Sequence, residues 1–425
     1  MNRRYFLMST AMLAATRKRS VAASDKVTIV LMGIRNRMRR LVPDFQDLPD
    51  VRILPCVCEV DRNVGQEVVG MLTKLHGKPP AWEVDIRRIL DRKDVDAIVI
   101  ATCSHWHAPG TILACDAGKD VYVEKPASNH IREGRLMVEA ARRNKRIVQV
   151  GTQRRSAPIT QRFIEYVQSG KLGKVLMVKV GTVQLRKDLG HLPDEPVPAG
   201  VEYDTWSGPV PVLPFNRNHY HNSVNWHWHY GGGDICNDGS HFLDIGRWAL
   251  GVEHPAEISG MGKKIYFDDD QQTPDTMNIT YDFGGKLLQY EQRLWTKYGM
   301  EGTQNSVIAY GTEGMAIFGR WEGPIFEFRV FDQRDKLVTS EREPSADYNF
   351  HARNFIDCIK SRKLPNSDIE SAHVSTTLCH LGNIVARTGR NIRFDAKTET
   401  VIGDAEANRL VAREYRQHWS TPKGV

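Results

Sequence analysis

From Lys26 to Gly151 the chain repeats one rhythm of apolar strand, tight turn and helix, and that rhythm leaves few folds open. Val27 to Met32 is a continuous apolar run that stops at Gly33, the pattern of a strand buried on both faces and feeding a turn. Further strands are read at Val51 to Val60, Ala97 to Ala101, Val121 to Val123 and Ile147 to Val150. Between them, one helix closes at Leu90 and others run from Pro109 to Ala117 and from Ile131 to Arg143. Such alternation specifies an α/β domain, a doubly wound parallel sheet with right-handed crossovers, over residues 26–150.

After Gly151 the rhythm changes. A helix near Thr160 to Ser169 leads into the β-rich run Val175 to Val180. Strands follow at Asn278 to Phe283, Lys286 to Glu291 and Phe326 to Phe331, the first two joined through Gly284-Gly285. Helices are expected at Asp238 to Leu250, Phe350 to Ser361 and Ala405 to Trp419. Residues 151–425 therefore read as an α+β domain on a large, mostly antiparallel open sheet, with the last helix packing back on the first domain.

Charge and composition exclude several classes. The formal net charge of +7 over 425 residues is modest and sits in short runs such as Arg17-Lys18-Arg19 and Arg37 to Arg40. No nucleic-acid module or interleaved aromatics accompany them, so no nucleic-acid partner is expected. No segment after the N-terminus approaches the roughly 18 uncharged apolar residues of a membrane span. Seven cysteines, mostly inside apolar runs, read as buried free thiols; Cys56-Val57-Cys58 lacks CxxC spacing. At the start, Asn2-Arg3-Arg4-Tyr5-Phe6-Leu7, a short apolar run and Val21-Ala22-Ala23 follow the twin-arginine signal pattern. Residues 1–25 are thus expected to direct export, to the periplasm or beyond.

Four motifs together resemble one family. Ala101-Thr102-Cys103-Ser104-His105-Trp106-His107-Ala108 follows the third strand read above and Val123-Glu124-Lys125-Pro126 the fourth. Gly151-Thr152-Gln153-Arg154-Arg155 opens the second domain, and the segment from Asn225-Trp226-His227-Trp228-His229 to Asn237-Asp238-Gly239-Ser240-His241-Phe242-Leu243-Asp244 comes later. The set resembles the exported branch of the Gfo/Idh/MocA oxidoreductases across almost the whole chain. The resemblance implies a Rossmann domain holding NAD, a carbohydrate substrate, and homo-oligomerisation through the sheet of the second domain.

The physics of the strand ends agrees. In a doubly wound sheet, ligands sit outside the carboxyl ends of the strands. Gly33, Glu59, Thr102, His105, His107, Glu124 and Lys125 all follow strands and are cofactor-site candidates. Glu59 lies near the spacing expected of the carboxylate that accepts from the ribose hydroxyls, which favours NAD over NADP. The glycine fingerprint departs from GxGxxG: here it is Gly33-Ile34-Arg35-Asn36-Arg37-Met38. Asn36 is expected in the left-handed conformation. Arg35 or Arg37 would pair with the diphosphate, or the loop has lost the nucleotide.

For chemistry, the resemblance implies Lys125 at the substrate hydroxyl and His241 sharing the hydroxyl proton. A cation there stabilises a developing alkoxide, and imidazole titrates near working pH. Asn237 carries no charge and can orient but not act as a base; Asp244 can share the face of His241. Trp226, His227 and His229, with His219 and His221, read as a carbohydrate wall rather than a metal site. Gln153 and Arg154 are weaker substrate candidates, Arg154 for a carboxylate.

Three classes fit: an NAD-dependent dehydrogenase of a sugar, glycoside or polyol hydroxyl; an NAD-dependent glycosidase with His107, His227, His229 or Tyr230 as extra base; and a non-catalytic sugar-binding relative.

Overall fold

The structure, a computed structural model, describes residues 25–321, 323, 325–344 and 349–424; the proposed signal segment with Arg3 and Arg4 lies outside them. The first sheet is parallel, in the order β3-β2-β1-β4-β5-β6. Its strands are β1 (Val27–Met32), β2 (Val51–Cys58), β3 (Ala81–Glu83), β4 (Ala97–Ile100), β5 (Asp120–Val123) and β6 (Val148–Val150). The sequence reading missed β3, a three-residue edge strand with no apolar run to mark it.

Both faces of this sheet are covered, which is why its strands are continuously apolar. Val30 and Met32 of β1 pack with Ile112, Leu136 and Met137 on one side. Ile29 and Leu31 pack with Leu41, Phe45 and Leu72 on the other, joined by Phe355 and Ile356 from helix Asn349–Ser361. That helix, late in sequence, seals the first sheet, its Phe355 ring against Phe45 and Tyr122.

The second sheet has ten strands in the order β14-β13-β12-β11-β7-β10-β9-β8-β15-β16. They are β7 (Val175–Val183), β8 (Glu257–Lys263), β9 (Thr276–Asp282), β10 (Leu287–Arg293), β11 (Asn305–Gly311), β12 (Gly314–Gly319), β13 (Ile325–Asp332), β14 (Leu337–Pro344), β15 (Ile392–Asp395) and β16 (Thr400–Val401). All its pairings are antiparallel except β10 with β7. Helices Pro158–Gln168, Asp238–Leu250 and Ile369–Thr388 pack on one face through Phe163, Phe242, Ile245 and Leu381.

The expected helix from Ala405 to Trp419 stops at Arg409. Beyond it the backbone is irregular and is held by side chains: Arg413 pairs with Glu133 at 2.6 Å and Arg416 with Asp204 at 2.6 Å. One anchor lies in the first domain and the other in the second, and these tertiary contacts override local propensity. All seven cysteines are free, six of them buried and Cys103 half-buried.

Candidate active site

The carboxyl ends of β1, β2, β4 and β5 open into a cavity of about 410 Å³, roofed by the second domain. Gly33 ends β1 with φ +76°, and a Cβ there would lie 2.8 Å from the Ala101 carbonyl oxygen, so only glycine allows this turn against β4. Asn36 is not left-handed as expected; the turn needs one positive φ, and Gly33 supplies it. Met38 is fully buried under the sheet at the start of helix Met38–Gln46. It therefore fills the helix–strand contact that a third glycine would close, and does not block the cavity.

Glu59 closes β2. Its carboxylate accepts from the Ile34 amide at 2.9 Å, the Val60 amide at 2.9 Å and the Asp61 amide at 3.2 Å. Burial raises its pKa, with those amides opposing. Arg37 is committed elsewhere: its Nε donates to Glu124 Oε1 at 2.6 Å. Burial opposes the Arg37 charge, but Glu124 more than restores it, so the guanidinium stays protonated. Glu124 in turn packs on Gly151, where a Cβ would lie 2.7 Å from its carboxylate. Arg35, half-buried, lines the cavity from the turn itself.

The two histidines after β4 hold the structure. His105 is fully buried, places Nε2 2.7 Å from the Trp206 carbonyl, and is pushed down to about 3, chiefly by burial. His107 lies between the carbonyls of Pro126 at 2.7 Å and Thr102 at 3.2 Å, and burial lowers its pKa too. Both line the cavity; His105 keeps a buried Nδ1 without a partner, whereas both nitrogens of His107 face main-chain carbonyls, which corrects its reading as an extra base. The Thr102 hydroxyl, by contrast, is buried and has no partner within the protein.

At the far end, Lys125 donates through Nζ to Asn237 Oδ1 at 2.7 Å and to the Asn237 carbonyl at 3.1 Å. Asn237 sits at the start of helix Asp238–Leu250, so the helix end aims the ammonium into the cavity. One turn on, His241 is buried; burial and the charges of Lys125, Arg154 and Arg37 hold it well below the usual histidine range. It is a neutral imidazole at working pH with Nδ1 unpartnered, and the surrounding charges oppose its protonation. Asp244 serves the scaffold: its carboxylate takes both Nε and Nη2 of buried Arg155, at 2.7 and 2.8 Å.

His241, Gln153, Arg154, Trp226, His227 and His229 lie outside the cavity lining. The carbohydrate-wall expectation is corrected for Trp226, whose ring is covered by the Arg186 guanidinium at 3.7 Å and packed with Phe267 and Leu294. His227 packs on His219 with ring centres 4.6 Å apart. The His229 carbonyl accepts from Arg413. Arg154 stacks between Phe242 and Phe326. The sequence reading did not single out Trp206, Asn225, Gly232 or Trp419, which do line the cavity. Asp234 was also missed: it is fully buried, accepts from Gln184 at 2.8 Å, and burial beside Asp238 raises its pKa. Among the described residues, no group of three or more His, Cys, Asp or Glu side chains is placed to hold a metal.

Comparison with known proteins fits these features. Residues 28–152 match the family model "Oxidoreductase family, NAD-binding Rossmann fold" and residues 160–421 match "Oxidoreductase family, C-terminal alpha/beta domain". The chain is 23% identical over 325 residues to scyllo-inositol 2-dehydrogenase (NAD(+)) of Bacillus subtilis, covering 74% of this chain and 82% of that protein. A glycosyl hydrolase family 109 protein of Saccharopolyspora erythraea is 31% identical over 128 residues, 29% of this chain and only 28% of that protein. The crystal structure of an aldose-aldose oxidoreductase from Caulobacter crescentus has the same fold, with TM-score 0.64 and 18% identity over 87% of this chain and all of the other. With both family models in register along nearly all of the described residues, the chain belongs to the Gfo/Idh/MocA oxidoreductase family.

Proposed function

We propose that this protein is an NAD-dependent dehydrogenase that interconverts a hydroxyl and a ketone on a sugar, glycoside or polyol. The observation that carries the reading is the Lys125 ammonium, fixed by Asn237 at the end of β5 in the same cavity as Gly33 and Glu59. The residues present fit a dinucleotide: a glycine turn, the open Thr102 hydroxyl, and the N-terminus of helix Met38–Gln46 with Arg35 beside it. Arg35, which lines the cavity at the turn, is the cation for the diphosphate. Bound NAD supplies the hydride acceptor. Lys125 then stabilises negative charge on the substrate oxygen, and His241, buried one turn beyond Asn237 and just outside the cavity lining, is the proposed acceptor of the hydroxyl proton. Incubation with NAD and a panel of polyols and sugars, followed by NADH absorbance, tests this; no NADH with any substrate counts against it.

The likeness to glycosyl hydrolase family 109 supports a second reading, oxidation and elimination with return of the hydride. That route needs a further base. His107 is pinned between two carbonyls and so has no nitrogen left for that role, which favours the dehydrogenase. Glycoside cleavage without net NADH would reverse that preference.

Glu59 leads to an expected preference: NAD should bind at least about tenfold more tightly than NADP, because a 2′-phosphate would meet its carboxylate. Calorimetric titration with both nucleotides measures this, and equal affinities would remove Glu59 from the role. The N-terminal pattern supports export by the twin-arginine route. Arg3→Lys with Arg4→Lys should hold the protein in the cytoplasm while leaving its melting temperature unchanged, as fractionation would show. The second sheet, against one face of which helices Pro158–Gln168, Asp238–Leu250 and Ile369–Thr388 pack, is the proposed oligomer surface through its other face.

A further inference from the structure

The tail beyond Arg409 crosses from the second domain to the first and is anchored at separate points. Arg413 donates to buried Glu133, a charge pair that Tyr415 joins through its hydroxyl at 3.0 Å. Arg416 donates to the Gly208 carbonyl at 2.7 Å and to Asp204. The Gly424 carbonyl accepts from Arg132. Between these anchors, Trp419 packs beside Trp106 with ring centres 5.7 Å apart, and the Arg87 guanidinium covers it at 4.2 Å. Trp419 also lines the cavity, together with Val84, Ile86 and Trp206.

The position of that indole in the sheet is informative. Arg87 and Ile86 follow β3, and Trp106 follows β4, so Trp419 spans the strand ends on the Glu59 side. A dinucleotide lying across the sheet puts its adenosine half there and its reactive half toward Lys125. We propose that residues 410–424 form a clasp over the adenosine half of the nucleotide, and that Trp419 is the cofactor-binding residue of that clasp. The clasp rests on the NAD reading above. Since it is held on the first domain by separate contacts, among them the Arg132 amide to the Val411 carbonyl at 3.0 Å, rather than by a packed helix, it can lift to admit the nucleotide and close to slow its loss.

The test is Trp419→Ala, with Trp419→Phe as the ring-preserving control, on the full chain. Titration calorimetry with NAD, ADP-ribose and nicotinamide mononucleotide is combined with stopped-flow displacement of NAD and a melting curve without nucleotide. Trp419→Ala should raise the Kd for NAD and for ADP-ribose at least about tenfold, mostly through faster dissociation, on the scale of losing one aromatic wall. Nicotinamide mononucleotide affinity should stay within about twofold, Trp419→Phe should recover most of the loss, and the melting temperature should barely move. An unchanged Kd for NAD overturns the clasp. So does equal weakening of all three ligands in both variants, which would mark Trp419 as a structural support only. A wild-type chain that binds none of the three would instead overturn the nucleotide reading, and the clasp with it.

Discussion

Lys125→Met should lower turnover by at least about a hundredfold while changing the Kd for NAD by no more than about threefold. Methionine keeps the unbranched apolar stem but cannot donate to Asn237, and it removes the ammonium held at this end of the cavity. Removing a single donor to a developing oxyanion costs on the order of a hundredfold to a thousandfold in rate. Because the charge matters most when hydride leaves, the loss should appear in kcat and kcat/KM together. Turnover, NAD affinity and melting temperature measured on the same samples separate chemistry from folding. Near-normal turnover would remove Lys125 from the mechanism, for the dehydrogenase and the glycosidase alike.

The largest effect on stability is expected at Arg155→Met. Arg155 and Asp244 form a buried two-pronged pair, and Ser375 adds a third hydrogen bond to the carboxylate. Removing one member of a buried pair costs about 3–5 kcal/mol, because the other charge stays desolvated. Nearby Arg247 offsets part of this, so about 3 kcal/mol is expected in denaturant unfolding. Burial alone would raise the Asp244 pKa, but Arg155 outweighs it and the net shift is downward. A carboxylate with a lowered folded pKa adds stability above its unfolded pKa of about 3.9 and loses it as pH falls through the folded value. In the variant burial is no longer outweighed and the Asp244 pKa is raised, so the difference should be full only above that raised value, begin to shrink as pH falls through it, and shrink further below about pH 4. Arg155→Met with Asp244→Leu should recover much of the loss, since no buried charge remains. A constant difference down to pH 2 would show that packing of Arg155, not the ion pair, sets the stability. The pair also fixes helix Asp238–Leu250, so the variant should misplace Asn237 and His241 as well.

The parallel sheet was legible in the sequence because strands buried on both faces must be apolar throughout, and helix Ile131–Arg143 was legible by its amphipathic period. Gly33, Glu59 and Lys125 were legible for a related reason: they stand immediately after strands, and topology alone sends such positions to one edge. Local pattern carries information of that kind.

Which candidates face the cavity was a different matter. Trp226-His227-Trp228-His229 looks the same in sequence whether its rings meet a sugar or pack inward, and Arg186, 40 positions earlier in the chain, decides that Trp226 packs. Arg37 reads as a phosphate ligand until Glu124, from another strand end, claims it. The tail shows the same limit: its residues suit a helix, but Glu133, Asp204 and Trp106 pull it into an irregular path that brings Trp419 to the cofactor cavity. The sequence by itself determined the layers, the strand ends and the chemistry available at them. Only the tertiary structure decided which side chains are committed to one another and which are left facing the cavity, because the partners that commit them come from distant parts of the chain.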